Sequence, residues 1–167
     1  MRLSWRYLLP ILAGGLAIAL WHDWRPSVRP KPPRVEVRFG ARAENLRVGA
    51  ARVHLAPVLP ATVAGYPPPR RTTTTSEPLF ARAIALEIAG RTVGLASAEV
   101  LQLPTPLAER VRERGLALGF DEVVVAATHT HTSFGGYDAN AIAQWAATGR
   151  YDPASVRLLE EGLLRSL

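Results

Sequence analysis

The side chains best suited to chemistry in this 167-residue chain are two imidazoles two residues apart, His129 and His131, in the run Ala127-Thr-His-Thr-His-Thr-Ser-Phe-Gly-Gly136. Neutral imidazole is a good zinc ligand, and it can carry a proton near neutral pH. The residues before the pair, Val123–Ala127, form a short Val-rich apolar run that reads as a buried strand. In open α/β sheets the C-terminal strand ends border the ligand crevice. Side chains at i and i+2 of an extended chain share a face, so both imidazoles are expected to look into one pocket. Gly135 and Gly136 are expected to let the backbone turn sharply or come close to a bound substrate. Catalytic zinc takes three protein ligands, and further candidates are few: His54 on another segment, Glu99 and Asp138. The residues alone leave two readings open. One is metal or proton chemistry. The other is structural imidazoles, hydrogen-bonded at a strand end together with Thr128, Thr130 and Thr132.

Composition narrows the chemistry further. The chain has no cysteine, so disulfides, thiolate metal sites and cysteine nucleophiles are excluded. Any metal must therefore be held by His, Asp, Glu or Tyr. The net charge of +6 is unevenly placed: residues 1–47 carry nine Arg and Lys against three acids, and residues 48–167 carry eleven against eleven. A nucleic-acid-binding domain would show a basic face with interleaved aromatics on the folded part, so no nucleic-acid partner is expected.

Three stretches divide the chain. Residues 1–24 combine Arg2 and Arg6 with an uncharged run, Tyr7–Trp21, as in a secretory signal peptide or an uncleaved signal-anchor. Trp5, Trp21 and Trp24 could serve as interfacial anchors. The protein is accordingly expected to be exported, and membrane-anchored or periplasmic/extracellular. Residues 25–45 hold a Pro- and Arg-rich linker whose basic residues can lie against an anionic membrane surface. Residues 46–167 are the folded part.

Within and just before that part, Val35–Phe39 is expected as a short edge strand. A second alternating run surrounds Val53–Leu55, with Gly49 as a bend or bulge. A long Pro- and Thr-rich loop from Ala64 through Thr75 offers Tyr66 as a candidate substrate-binding residue. Phe80–Ala89 and Thr92–Val100 suggest a hairpin around Gly90-Arg91, although the Ala-rich first run is also compatible with a helix. Pro104–Leu118 reads as a helix with Pro106 near its start and Gly119 as its stop. Thr92–Val100, this helix and Val123–Ala127 make a βαβ unit with parallel strands. Asp138–Ala147 and Pro153–Leu167 read as two further helices. The last one ends without a cap or polar tail, which suggests a truncated domain. The fold class expected is α/β, a mixed sheet with a βαβ unit, preceded by an apolar N-terminal helix.

Four blocks in order, VGAARVHLAP, AGY, LFARAIALEIAGRTVGLASAEVLQL and VVVAATHTHTSFGG, resemble the N-terminal part of the neutral/alkaline, non-lysosomal ceramidases over roughly Val48–Tyr137. The resemblance implies a zinc-dependent amidase that cleaves the N-acyl bond of ceramide-like lipids to a sphingoid base and a fatty acid. It implies Zn2+ as cofactor, with His129 as a zinc ligand, and a lipid amide as substrate. His131 matches the second histidine of the motif, placed to contact the substrate or its transition state. The family's remaining ligands (a His, a Glu and a Tyr) and its catalytic Ser would fall beyond Leu167, so the chain is expected to be an incomplete N-terminal part of a larger hydrolase domain. The sequence departs from the family pattern at His54 and Glu99, where Asp is usual, and at Thr132-Ser133-Phe134, which replaces Ser-Gly-Pro. Two other classes compete with the amidase. One is a non-catalytic exported or membrane-anchored envelope protein that keeps the fold, and the other a basic module that binds lipid surfaces.

Overall fold

A tight hairpin forms the middle of the sheet. In the computed structural model, which describes residues 45–167, Leu79–Ile88 (β4) pairs antiparallel with Arg91–Ala98 (β5). The two central turn residues are Ala89 and Gly90, both at positive φ (49° and 75°). That is the geometry a two-residue hairpin turn needs to match strand twist. The expected turn, Gly90-Arg91, is thus one residue out of place, because Arg91 is already paired with Ile88. The helical alternative for the Ala-rich run is excluded by the same ladder. The apolar N-terminal segment, the Pro/Arg-rich linker and the expected strand at Val35–Phe39 lie outside the described residues.

On one side of the hairpin, Arg47–Leu55 (β1) runs antiparallel to β4 in an unbroken register from Arg47↔Glu87 to Leu55↔Leu79. Gly49 sits opposite Ala85 within that ladder, so the bend or bulge expected there is absent: every residue of the run has its own partner. On the other side, Glu122–Ala127 (β6) pairs parallel to β5, from Val93↔Glu122 to Ala98↔Ala127. The sheet order is β1-β4-β5-β6, a mixed sheet with the expected βαβ unit. The long Pro/Thr loop is interrupted by a small second ribbon, Ala61–Val63 (β2) against Arg70–Thr72 (β3).

The crossover helix, Thr105–Ala117 (α1), carries Leu107, Val111 and Gly115 on its buried side. Their spacing of four puts them on one stripe. Gly115 lets Val123 come close, since a Cβ there would stand 2.7 Å from Val123 Cγ2. The helix ends with Leu118 N–H donating to the carbonyls of Arg114 and Gly115 and with Gly119 at φ 102°, as a left-handed C-terminal glycine does. The expected helix at Asp138–Ala147 is much shorter. It spans Ala141–Ala143 (α2) and then widens into a π turn, Gln144–Thr148. Tyr137 and Asp138 are instead buried, and Asp138 Oδ1 accepts from Asn140 N–H at 2.8 Å. An Asp that bonds the backbone two residues on favours a turn over a helix. Pro153–Ser166 (α3) closes the chain. Asp152 caps it by accepting from Ala154 N–H at 2.9 Å.

Helices α1 and α3 pack on one face of the sheet. Leu55, Ala81, Ala98, Leu107, Val111, Leu159 and Leu163 form the core beneath them. Each fully buried Leu there contributes about 1.5–3 kcal/mol. Gly162 brings α3 against Leu55, whose Cδ2 would be 2.3 Å from a Cβ at that position. The opposite face carries a row in register across all four strands, Ala50, Ile84, Leu95 and Val124, and its three large members are exposed. The Val123–Ala127 strand is therefore buried on one side only, not on both as its composition suggests. Among the described residues no helix is long and apolar enough to cross a membrane.

Candidate functional site

The segment after β6 does not leave the sheet at once. Thr128 N–H donates to Ala98 O (3.0 Å) and Thr130 N–H to Val100 O (3.1 Å), which prolongs the parallel pairing along the end of β5. Between these two bonds stands His129, an exposed residue whose Nδ1 lies 2.8 Å from Leu101 O. The backbone at His129 is left-handed, φ 60°. His131, two residues on, is fixed by a different part of the chain. Thr132 N–H donates to Ala64 O at 3.1 Å, and His131 Nδ1 lies 3.0 Å from Gly65 O. The imidazoles meet with Nε2 to Nε2 at 3.4 Å and their ring planes at 76°.

The two rings thus converge on each other, although neither lines the cleft beside them, and the convergence arises differently from the shared strand face expected. An extended chain would have placed the two rings side by side on one strand face. Here the positive φ at His129 breaks the strand, and two separate carbonyls, from Leu101 and Gly65, aim the rings at each other. A carbonyl oxygen can only accept, so each Nδ1 must be the protonated, donating nitrogen. That leaves two Nε2 lone pairs facing each other. Two acceptors at this distance need a cation or a proton between them. Tetrahedral zinc with nitrogen ligands at about 2.0–2.1 Å sets neighbouring ligand atoms about 3.3 Å apart. The observed spacing fits it, and the backbone bond at each Nδ1 is the outer support that zinc-ligating histidines usually have.

Of the other expected site residues, Tyr66 is brought to the pair: its ring meets His131 edge-on, with centroids 5.5 Å apart. Gly135 and Gly136 are buried, and what comes close to them is the chain's own backbone. Gly135 N–H donates to Thr62 O and Gly136 N–H to Thr148 O, and a Cβ on Gly135 would stand 2.0 Å from Thr148 O. Gly136 also takes φ 86°. Their closeness seats the histidine loop on the π turn. His54, Glu99 and Asp138 each have other partners. His54 packs on Phe80 (5.6 Å). Glu99 accepts from Phe80 N–H at 2.8 Å and pairs with Arg82. Asp138 Oδ2 accepts from Gln102 Nε2 at 2.5 Å. Among the described residues no group of three or more His, Cys, Asp or Glu could hold a metal ion.

Several contributors carry no signal in the sequence. The carbonyls of Leu101 and Gly65 aim the imidazoles, and a main-chain oxygen looks the same at every position. Gly65 leaves one trace: at φ 95° it takes a conformation that favours glycine, and a Cβ there would lie 2.6 Å from His131 Nδ1. The Leu101–Gln102 turn is held by the Gln102–Asp138 bond and by Tyr137 beneath it. Burial pushes the Tyr137 phenol above its ordinary pKa. Beside the loop lies a cleft of about 770 Å³, which reaches Thr130 and Thr132 on either side of His131 and extends past Ser133, Glu99 and Thr74. A second concavity, about 670 Å³ and apolar, lies on the open sheet face away from the imidazoles.

No protein-family model matches the chain, and no curated protein sequence matches it. Its fold is similar to a solved structure described as a ceramidase complexed with C2, with a TM-score of 0.62 and 22% identity. The match covers 73% of this chain and 20% of that one, so the chain spans about a fifth of the length of the structure it resembles. At that identity the likeness speaks for architecture alone: residues 45–167 have a ceramidase-like α/β fold.

Proposed function

We propose that this unit supplies the imidazole part of a zinc-dependent amide hydrolase acting on ceramide-like lipid amides. In this reading His129 is a metal ligand and His131 the imidazole that acts beside it. The observation that carries the reading is the pair of Nε2 atoms 3.4 Å apart, each turned to the other by a backbone carbonyl on its Nδ1. Zinc at this position would supply Lewis acidity, lowering the pKa of water and polarising the amide carbonyl. The chain's own part is to hold His129 Nε2 free of its proton through the Leu101 carbonyl. His131 Nε2, a proton acceptor in this reading and not a metal ligand, can take up a proton and return it to the leaving amine. Tyr66, edge-on to His131, borders the place where the acyl amide would lie.

In this reading the described residues contribute one of the three protein ligands that catalytic zinc needs, His129. A zinc titration of a longer form that supplies the remaining ligands, read by calorimetry, tests the first element of the reading. One zinc per chain is expected, with binding lost in His129→Ala. Equal zinc binding by the wild type and His129→Ala would sink the assignment. Turnover of a fluorescent N-acyl-sphingosine by a zinc-loaded longer form tests the substrate class. The smallness of the ligand set favours one second reading, a non-catalytic envelope protein that keeps the fold. It predicts neither zinc nor turnover. Export and membrane attachment through residues 1–24 belong to the same proposal, supported by the basic, then apolar, order of that segment.

A further inference from the structure

Seven aromatic side chains lie among the described residues, and the three exposed ones, Tyr66, Trp145 and Tyr151, are all attached to one feature, the π turn Gln144–Thr148. Trp145 is 78% exposed at the centre of that turn. Tyr151 N–H donates to the Gln144 side chain at 3.0 Å, and Gly65 N–H, next to Tyr66, donates to Ala147 O at 2.9 Å. Ile142, one helical turn before Trp145, is also exposed (47%). Exposed indole and aliphatic side chains on one short turn cost solvation with no gain inside the fold. Single-turn π segments are also frequent at functional sites.

The surroundings of this turn are basic. Arg150 follows it directly. Arg70 and Arg71 lie on β3, whose partner strand touches the turn where Thr62 packs against Gly149. All three are exposed, and none forms an ion pair among the described residues. The acid closest in sequence, Asp152, is engaged in capping α3 through Ala154 N–H and Ser155 Oγ. Tryptophan and tyrosine flanked by arginine is the composition that sits at the boundary between lipid headgroups and acyl chains.

We propose that the Tyr66–Trp145–Tyr151 surface, with its three arginines, seats on a bilayer containing anionic lipid. Contact there would hold the imidazole pair at the lipid surface, since Gly65 is bonded both to the π turn and to His131. The proposal deepens the reading of His129 and His131 as a lipid-amide site, and it rests on that reading for the choice of a bilayer over other partners. It concerns the folded unit and adds to any attachment through the N-terminal segment.

The test uses the full chain with Trp5, Trp21 and Trp24 changed to Phe, so that Trp145 is its sole indole. The probe is vesicles of phosphatidylcholine and phosphatidylglycerol, with plain or dibrominated acyl chains. A blue shift is expected, with roughly a third or more of the emission lost to the bromines, because interfacial side chains reach that depth. The quench should weaken in pure phosphatidylcholine and in an Arg70→Ser/Arg71→Ser/Arg150→Ser variant. Unchanged Trp145 emission would overturn the proposal, whether or not the chain sediments with the vesicles. So would a quench that ignores both the anionic lipid and the arginines. Zinc titration of the longer form separates this from the site's chemistry. Zinc without a quench sinks the surface alone, and a quench without zinc sinks the amidase reading alone.

Discussion

The helix-covered sheet and the loop layer at its end are held together by different forces. In the first, Leu55, Leu107, Val111, Leu159 and Leu163 are buried side chains whose periodic spacing puts them on one side of their strand or helix. In the second, comprising Ala64–Tyr66, Thr128–Gly136 and Gln144–Asp152, main-chain hydrogen bonds run between segments far apart in sequence, and glycines allow backbones to touch. Burial is non-directional and roughly proportional to area, so no single contact direction fixes the sheet layer, close-packed though it is at Gly115 and Gly162. Hydrogen bonds aimed at imidazoles have strict geometry, and the loop layer has little slack. The imidazole pair sits in the layer with less slack.

Substitutions can break this contrast in order of expected effect. Leu163→Ala in the covered core should destabilise by roughly 2–5 kcal/mol through lost burial and a cavity. Chemical denaturation would measure it, and zinc stoichiometry at low denaturant should be kept. Gly135→Ala should destabilise by about 1–3 kcal/mol or more, because its Cβ meets a backbone oxygen that cannot step aside. Unlike Leu163→Ala it should also lower zinc affinity, since the loop can accommodate the methyl group only by lifting off Thr148. If both variants lose zinc in proportion to stability alone, the two layers are not distinct.

Gly65→Ala sharpens the comparison at the site itself. Its positive φ costs an L-residue about 1–2 kcal/mol, and its methyl group would press on His131 Nδ1. Zinc affinity should fall more than stability does, and the His131 ring resonances in NMR should move while those of His54 stay. The smallest effect is expected from Glu160→Gln. Burial alone would raise the Glu160 pKa, but the guanidiniums of Arg114 (2.9 Å) and Arg110 (3.0 Å) more than offset it and hold it below the ordinary value. A depressed folded-state pKa stabilises above the unfolded value and ceases to do so as pH falls through the folded one. The substitution should thus cost about 1–2 kcal/mol at neutral pH. The gap from wild type should close below about pH 4, the range in which free glutamate protonates. Zinc binding at neutral pH should be untouched.

What could be read in advance follows the same division. The hairpin, the βαβ unit, α1 and α3 were legible because alternation, four-residue spacing, Pro106 and Gly119 act within a few residues of one another. The errors have local causes too. A lone Gly49 looks like a bulge until the whole Arg47–Leu55 ladder is seen to run through it. Asp138 looks helical until its bond to Asn140 N–H is seen. At the site, the histidines themselves were evident, and so was Tyr66. The sharp turn expected at the glycines is present at Gly136, φ 86°, while the close approach at Gly135 is to Thr148 O, which demands the same absence of a side chain as a substrate would.

The order of residues alone determined which groups could do chemistry. It excluded thiols, set two imidazoles beyond a short strand, and confined the basic excess to residues 1–47. Tertiary structure decided how those groups face one another. The tautomer of each imidazole depends on a carbonyl 28 or 66 residues away. The exposure of Trp145 beside them depends on a π turn fastened to Gly65. A carbonyl oxygen belongs to every residue alike, so a pattern of side chains cannot announce which one will be used. Only the folding of distant segments against each other selects it.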